Sequence, residues 1–112
     1  MIDTTHILLD FTYSGELPNL EKLMDDAILK IGEIHIVDKF KHNFNPYGLS
    51  LVYILAESHI SIHTWEEYNY ISVDMYTCGE VNPNNTLNEF LKGFHIKDSK
   101  KQIINRGLLN LI

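Results

Sequence analysis

The chain has 112 residues, 45% of them hydrophobic and 21% charged, with a formal charge of -6 at pH 7. That length admits one small domain with an ordinary core, expected to span residues 1–112 as a soluble globular unit. The acidic balance argues against nucleic acid as a partner, no apolar run approaches the ~20 residues of a membrane span, and a single cysteine with no secretory leader makes a reducing cytoplasm the expected location.

His6 to Tyr13 reads as a mostly buried strand through Ile7, Leu8, Leu9, Phe11 and Tyr13, ended by Ser14-Gly15. The clearest helix follows: Pro18 opens it, Leu20, Leu23, Met24, Ala27, Ile28 and Ile31 recur at helical spacing, and Gly32 supplies the cap. A second strand is expected from Glu33 to about His42, then a turn-rich segment around Pro46 and Gly48. Leu49 to Ala56, Ser58 to Trp65 and Tyr70 to Tyr76 are strands rich in β-branched and aromatic residues. Asn82 to Asn85 form a turn, Thr86 caps a short helix carrying Leu87, Phe90 and Leu91, and His95 to Ile104 returns as a last strand. Lys97, Lys100, Lys101 and Arg106 form a solvated face near the C-terminus. Runs of short strands separated by helices predict an α+β two-layer sandwich, with a largely antiparallel sheet and its helices on one face.

Chemistry concentrates between Glu57 and Trp65, with Cys78, the only cysteine, thirteen residues further on. On a regular strand His59, Ser61, His63 and Trp65 share one face, and Ser58, Ile60, Ile62 and Thr64 the other. Imidazole and thiolate suit zinc, but His59 and His63 four apart on a strand lie ~13 Å from one another, too far for one ion with Cys78. A hydrolytic triad of Ser58 or Ser61 with His63 and Asp74 lacks the Gly-x-Ser-x-Gly elbow.

The run Ala56-Glu57-Ser58-His59-Ile60-Ser61-Ile62-His63-Thr64-Trp65, then Glu67, Val73-Asp74 and Thr77-Cys78-Gly79-Glu80, resembles the signature of the short prokaryotic S-adenosylmethionine decarboxylase proenzymes. The likeness extends upstream through Phe44, Pro46-Tyr47-Gly48 and Ser50, and more loosely to His6 and Asp10. It implies self-cleavage at Glu57-Ser58 into a 1–57 β chain and a 58–112 α chain headed by a pyruvoyl cofactor made from Ser58. The serine hydroxyl attacks the Glu57 carbonyl, the peptide becomes an ester, β-elimination follows, and hydrolysis of the dehydroalanine releases ammonia.

The resemblance assigns the processing base to His63, assistance in processing to Ser50, and protonation of the decarboxylated product to Cys78. In turnover the pyruvoyl ketone forms a Schiff base with the substrate amine and accepts the electrons left by carbon dioxide. Because Ser58 and His63 face opposite sides of a regular strand, the His63 role predicts a bend, bulge or strand start near Ser58. Phe44 and Trp65 match positions flanking the adenine ring, and Glu67 the carboxylate gripping the ribose.

The implied function is decarboxylation of S-adenosylmethionine for spermidine synthesis by a homodimer of cleaved protomers, with no metal and no nucleic-acid or membrane partner. Glu66 stands where the family has proline, Asn69 where it has glycine, and Asn45 where an apolar residue is expected, all beside the substrate-binding residues. Those departures leave as an alternative the same scaffold acting on arginine or ornithine; a second alternative is a non-cleaving binding or regulatory homologue in which Ser58 stays serine.

Overall fold

Alternation of apolar and polar side chains builds one face of a sheet for packing and leaves the other polar. The computed structural model describes residues 2–108, so the outermost positions of the domain expected over 1–112 lie outside it. In chain order the elements are β1 (Ile2–Ser14), α1 (Leu20–Ile31), β2 (Ile36–Asn43), β3 (Leu49–Leu55), β4 (Ser58–Trp65), a 3-10 turn (Glu66–Tyr68), β5 (Tyr70–Cys78), α2 (Pro83–Leu91) and β6 (His95–Leu108). The six strands form one sheet in the order β2-β3-β4-β5-β1-β6, every neighbouring pair antiparallel.

Both helices lie on one face of that sheet. Ile7, Leu9, Phe11 and Tyr13 of β1 are buried there with Leu51, Tyr53 and Leu55 of β3, Ile60 and Ile62 of β4, and Ile71, Val73 and Met75 of β5. Leu20, Met24, Ala27 and Ile28 of α1 and Leu87 and Phe90 of α2 close the core from above. The expected two-layer α+β sandwich is therefore the architecture found. Phe90 is fully buried and meets Phe94 edge to face at 5.3 Å. Phe90→Ala is expected to lower stability by about 3–5 kcal/mol, read as a fall in the urea unfolding midpoint.

The helix starts differ from the sequence reading, for reasons of hydrogen bonding. Pro18, expected to open α1, lies just before it: Asn19 caps the helix, its side chain accepting from the Lys22 amide at 3.1 Å, and the helix begins at Leu20. Asn82 caps α2 in the same way, with Pro83 at the first helical position. Thr86, expected as the cap, instead lies buried inside α2. Gly32 does end α1, in the left-handed conformation with φ 74°.

The opposite face carries the even-numbered residues of β1 and β5 and the odd-numbered residues of β4. Register places them in rows: His59 beside Tyr76 and His6, Ser61 beside Asp74, and Ser50 beside His63 and Ser72. No helix of the described residues is long and apolar enough to cross a membrane.

Candidate active site

Strand β4 begins at Ser58, and the residue before it breaks the strand geometry. Ala56 and Glu57 form the two-residue turn joining β3 to β4, closed by the pair Leu55 and Ser58. Glu57 has φ 64°, the left-handed region that suits Gly or Asn and costs a side chain such as glutamate about 1–2 kcal/mol. The Ala56 amide donates to the His35 carbonyl at 3.0 Å, pinning the turn to the segment before β2. The strand start expected near Ser58 is present, and local strain falls on the residue whose carbonyl precedes it.

Cys78 ends β5 at the same rim of the sheet. Its thiol donates to the Glu57 carbonyl oxygen at 3.4 Å and lies 3.5 Å from the Glu57 carboxylate. Partial burial, then the hydrogen bond and charge of Glu57, push the thiol above its ordinary value of 9.0. Cys78 therefore carries its proton at neutral pH, the state a proton donor requires. Replacing Glu57 with glutamine removes the nearby charge, so thiol alkylation by iodoacetamide, compared in a Ser58→Ala background that stays uncut, is expected to titrate at lower pH. An unmoved profile would show that Glu57 does not set the thiol.

A second group of side chains gathers at the far end of β4. Ser50 and His63 are register partners and share a hydrogen bond of 2.8 Å between Oγ and Nδ1. They line a cleft of about 400 Å³ together with Phe44, Tyr47, Trp65 and Glu67, within the size range of small-molecule sites. Trp65 stacks on Tyr70 at 5.1 Å, and the Tyr70 hydroxyl donates to Asp10 at 2.6 Å. The sequence reading did not pick out Tyr70; its signal was the position opposite Trp65 in a tight β4–β5 connection.

The substitutions near this cleft fit the backbone they occupy. Asn69 adopts φ 51° and closes the 3-10 turn by donating its amide to the Glu66 carbonyl at 3.1 Å. Asparagine is the residue that best replaces glycine in that conformation. Glu66 takes the first position of the same turn, where proline and acidic residues are both favoured.

One chain thus brings Ser58, Glu57 and Cys78 together, and separately Ser50, His63, Phe44, Trp65 and Glu67. It does not bring Ser58 to His63. Five residues of strand at ~3.3 Å each hold their backbones about 16 Å apart. Nor does it assemble His59, His63 and Cys78, or a hydrolytic triad of Ser58 with His63 and Asp74. Instead His6 Nε2 lies 2.7 Å and His59 Nε2 3.4 Å from one oxygen of Asp74, whose other oxygen accepts from Ser61. The three side chains have ligand atoms within 4.8 Å of one another, but at 2.7 Å His6 and Asp74 are directly hydrogen-bonded. Half-burial alone would raise the Asp74 carboxyl; hydrogen bonds from Ser61 and His6 and the nearby imidazoles outweigh it and hold the group below its ordinary 3.8.

A family model described as S-adenosylmethionine decarboxylase matches residues 5–107. The S-adenosylmethionine decarboxylase proenzyme of Clostridium kluyveri is 37% identical over 113 aligned positions, covering 96% of this chain and 89% of that protein. That of Methanococcus maripaludis is 40% identical over 95, covering 84% and 77%. The crystal structure of the adenosylmethionine decarboxylase from Aquifex aeolicus superposes with a TM-score of 0.83 at 28% identity, over 97% of this chain and 94% of that one. With a family model spanning residues 5–107, relatives at 37% and 40% identity and a matching sheet architecture, this chain belongs to the S-adenosylmethionine decarboxylase family.

Proposed function

We propose that the chain is a proenzyme that cuts itself between Glu57 and Ser58 and then decarboxylates S-adenosylmethionine, yielding carbon dioxide and the aminopropyl donor used in spermidine synthesis. The observation that carries this reading is the Glu57-Ser58 peptide set in a strained turn with the protonated Cys78 thiol on its carbonyl. Ser58 attacks the Glu57 carbonyl carbon through its hydroxyl, and the C–N bond breaks as the ester forms. A base removes the Ser58 α-proton and the Glu57 carboxylate leaves. Water then replaces the amine as ammonia, giving a pyruvoyl group at residue 58.

The residues around Ser58 suit such a group: it would head a strand, at a rim, next to a thiol that keeps its proton. Held covalently at residue 58, a pyruvoyl group supplies an electron sink for decarboxylation. Cys78 then delivers a proton to the substrate α-carbon. Trp65, backed by Tyr70, and Phe44 offer aromatic faces to adenine, while Glu67 accepts from the ribose hydroxyls in the same cleft.

His63 serves as the processing base and Ser50 as its hydrogen-bonded assistant only if they reach a Ser58 that lies beyond their own strand. A second copy of the chain provides it. The face opposite the helices is uncovered, and apolar Phe40, Ile54, Trp65 and Ile104 are exposed among its polar groups, as a face buried between two protomers would require. A homodimer whose sheets face one another brings the Ser58 end of one chain to the His63 end of its partner.

Mass spectrometry tests the cleavage. Two fragments meeting at Glu57-Ser58, the second with a blocked pyruvoyl end, are expected, and one intact chain would reject the reading. Carbon dioxide release is expected from S-adenosylmethionine; release only from arginine or ornithine would keep the cleavage and reject the substrate.

A further inference from the structure

We infer that His59, held against Asp74, is a positioning residue that anchors the new chain end created by cleavage and so fixes the reactive group at residue 58. The inference rests on the proposed self-cleavage. Before the cut, Ser58 is held on both sides, by the two-residue turn and by β4. The cut severs the turn. Residue 58 then becomes a terminus, joined covalently through one peptide bond and paired only with Leu55 at the very end of the β3–β4 ladder, and strand ends open at low free energy. A reacting ketone must nonetheless stay within about 0.5 Å of its productive position.

His59 is the first side chain able to replace the lost connection. Its backbone lies between Ile54 of β3 and Tyr76 of β5, so both neighbouring strands bracket it. Its ring approaches Asp74 at 3.4 Å, the Tyr76 ring at 5.7 Å and the His6 ring edge to face at 6.0 Å. Asp74 is itself fixed by His6 of β1 at 2.7 Å and by Ser61 of β4. The anchor thus ties residue 59 to β1, β4 and β5 at once, independently of β3, the strand that the cut separates from it. None of the processing or proton-transfer roles uses His6, His59 or Asp74, yet with Ser61 they form one connected polar network across three strands.

The test compares wild type, His59→Ala, His59→Gln and Asp74→Asn, each purified as the mature protein and also placed in an uncut Ser58→Ala background. His59→Ala is expected to cleave fully, with kcat for S-adenosylmethionine lowered about tenfold and KM changed less than about twofold, because the adenosine cleft is untouched. His59→Gln, which can still donate to Asp74, is expected to recover much of kcat, and Asp74→Asn to resemble His59→Ala.

Hydrogen exchange supplies a readout independent of turnover. Amides at the start of β4 should exchange faster in cleaved His59→Ala than in cleaved wild type, with no such difference in the uncut background, where the turn still holds the strand. Equal acceleration in both backgrounds, or an unchanged kcat in fully cleaved His59→Ala, would overturn the role. So would one tightly bound zinc per chain that is lost in Asp74→Asn, since the network would then be a metal centre. An uncut wild-type chain would remove the proposed function itself, whereas a cut wild type with a fast His59→Ala variant removes this role alone.

Discussion

Ser58→Ala is expected to yield a single uncut chain with no measurable decarboxylation of S-adenosylmethionine, while Cys78→Ala is cut at Glu57-Ser58 yet turns over about 100-fold to 10,000-fold more slowly. The two outcomes separate making the catalyst from using it. Alanine at 58 has no hydroxyl to attack the Glu57 carbonyl and no leaving oxygen for the elimination, so neither ester nor pyruvoyl group can form. The change is small and sits at a half-exposed strand start, so the fold should survive it. An unchanged unfolding midpoint for Ser58→Ala checks that point.

Cys78 stands differently. Its thiol touches the carbonyl of the scissile peptide, but the bond-making oxygen belongs to Ser58. Without the thiol, protonation of the substrate α-carbon falls to water, and general-acid assistance is lost. Intact-mass analysis reads the cleavage and carbon dioxide release reads the turnover. A Cys78→Ala enzyme as fast as wild type would remove the proton-donor role and leave the maturation chemistry standing.

Much of the fold was legible because alternation and capping leave local marks. β4 occupies the residues its alternation predicts, Ser58 to Trp65, and the α1 stripe from Leu20 to Ile28 is the stripe that is buried. The longer elements were not so marked. β6 runs to Leu108 with every residue exposed, so no burial rhythm announces its length; pairing with β1 along nearly the whole of both strands sets it instead. Asn19 caps α1, and Asn82 rather than Thr86 caps α2, because a side-chain acceptor placed just before each helix satisfies its first free amides.

The candidate site divides in the same way. Residue types and spacing mark Ser58, His63 and Cys78, since the motif is continuous or nearly so. Their distribution between two ends of the sheet is a matter of register, which no local pattern encodes. The contact of His6 with Asp74 spans 68 positions and is visible only once β1 and β5 are paired. The departures at Glu66 and Asn69, read from sequence as threats to substrate binding, are absorbed by the first position and the C-terminal cap of one 3-10 turn.

Mixing two inactive variants is expected to restore activity, because the two halves of the site lie on different chains of the proposed dimer. Let one chain carry Cys78→Ala, damaged at the Ser58 end, and the other Trp65→Ala, damaged in the cleft. Each homodimer has two defective sites. In a heterodimer, one site combines both defects and the other combines the intact Ser58 end of the Trp65→Ala chain with the intact cleft of the Cys78→Ala chain. Random association makes half the dimers mixed, each with one sound site, so recovery approaches about a quarter of the wild-type rate per chain. Neither substitution touches the serine or His63, so both chains mature before mixing. A sum no greater than the two separate residual activities, under conditions where mass spectrometry detects mixed dimers, would place each complete site within one chain. The ~16 Å between Ser58 and His63 along β4 opposes that outcome, since a processing base must come within ~3 Å of the group whose proton it takes.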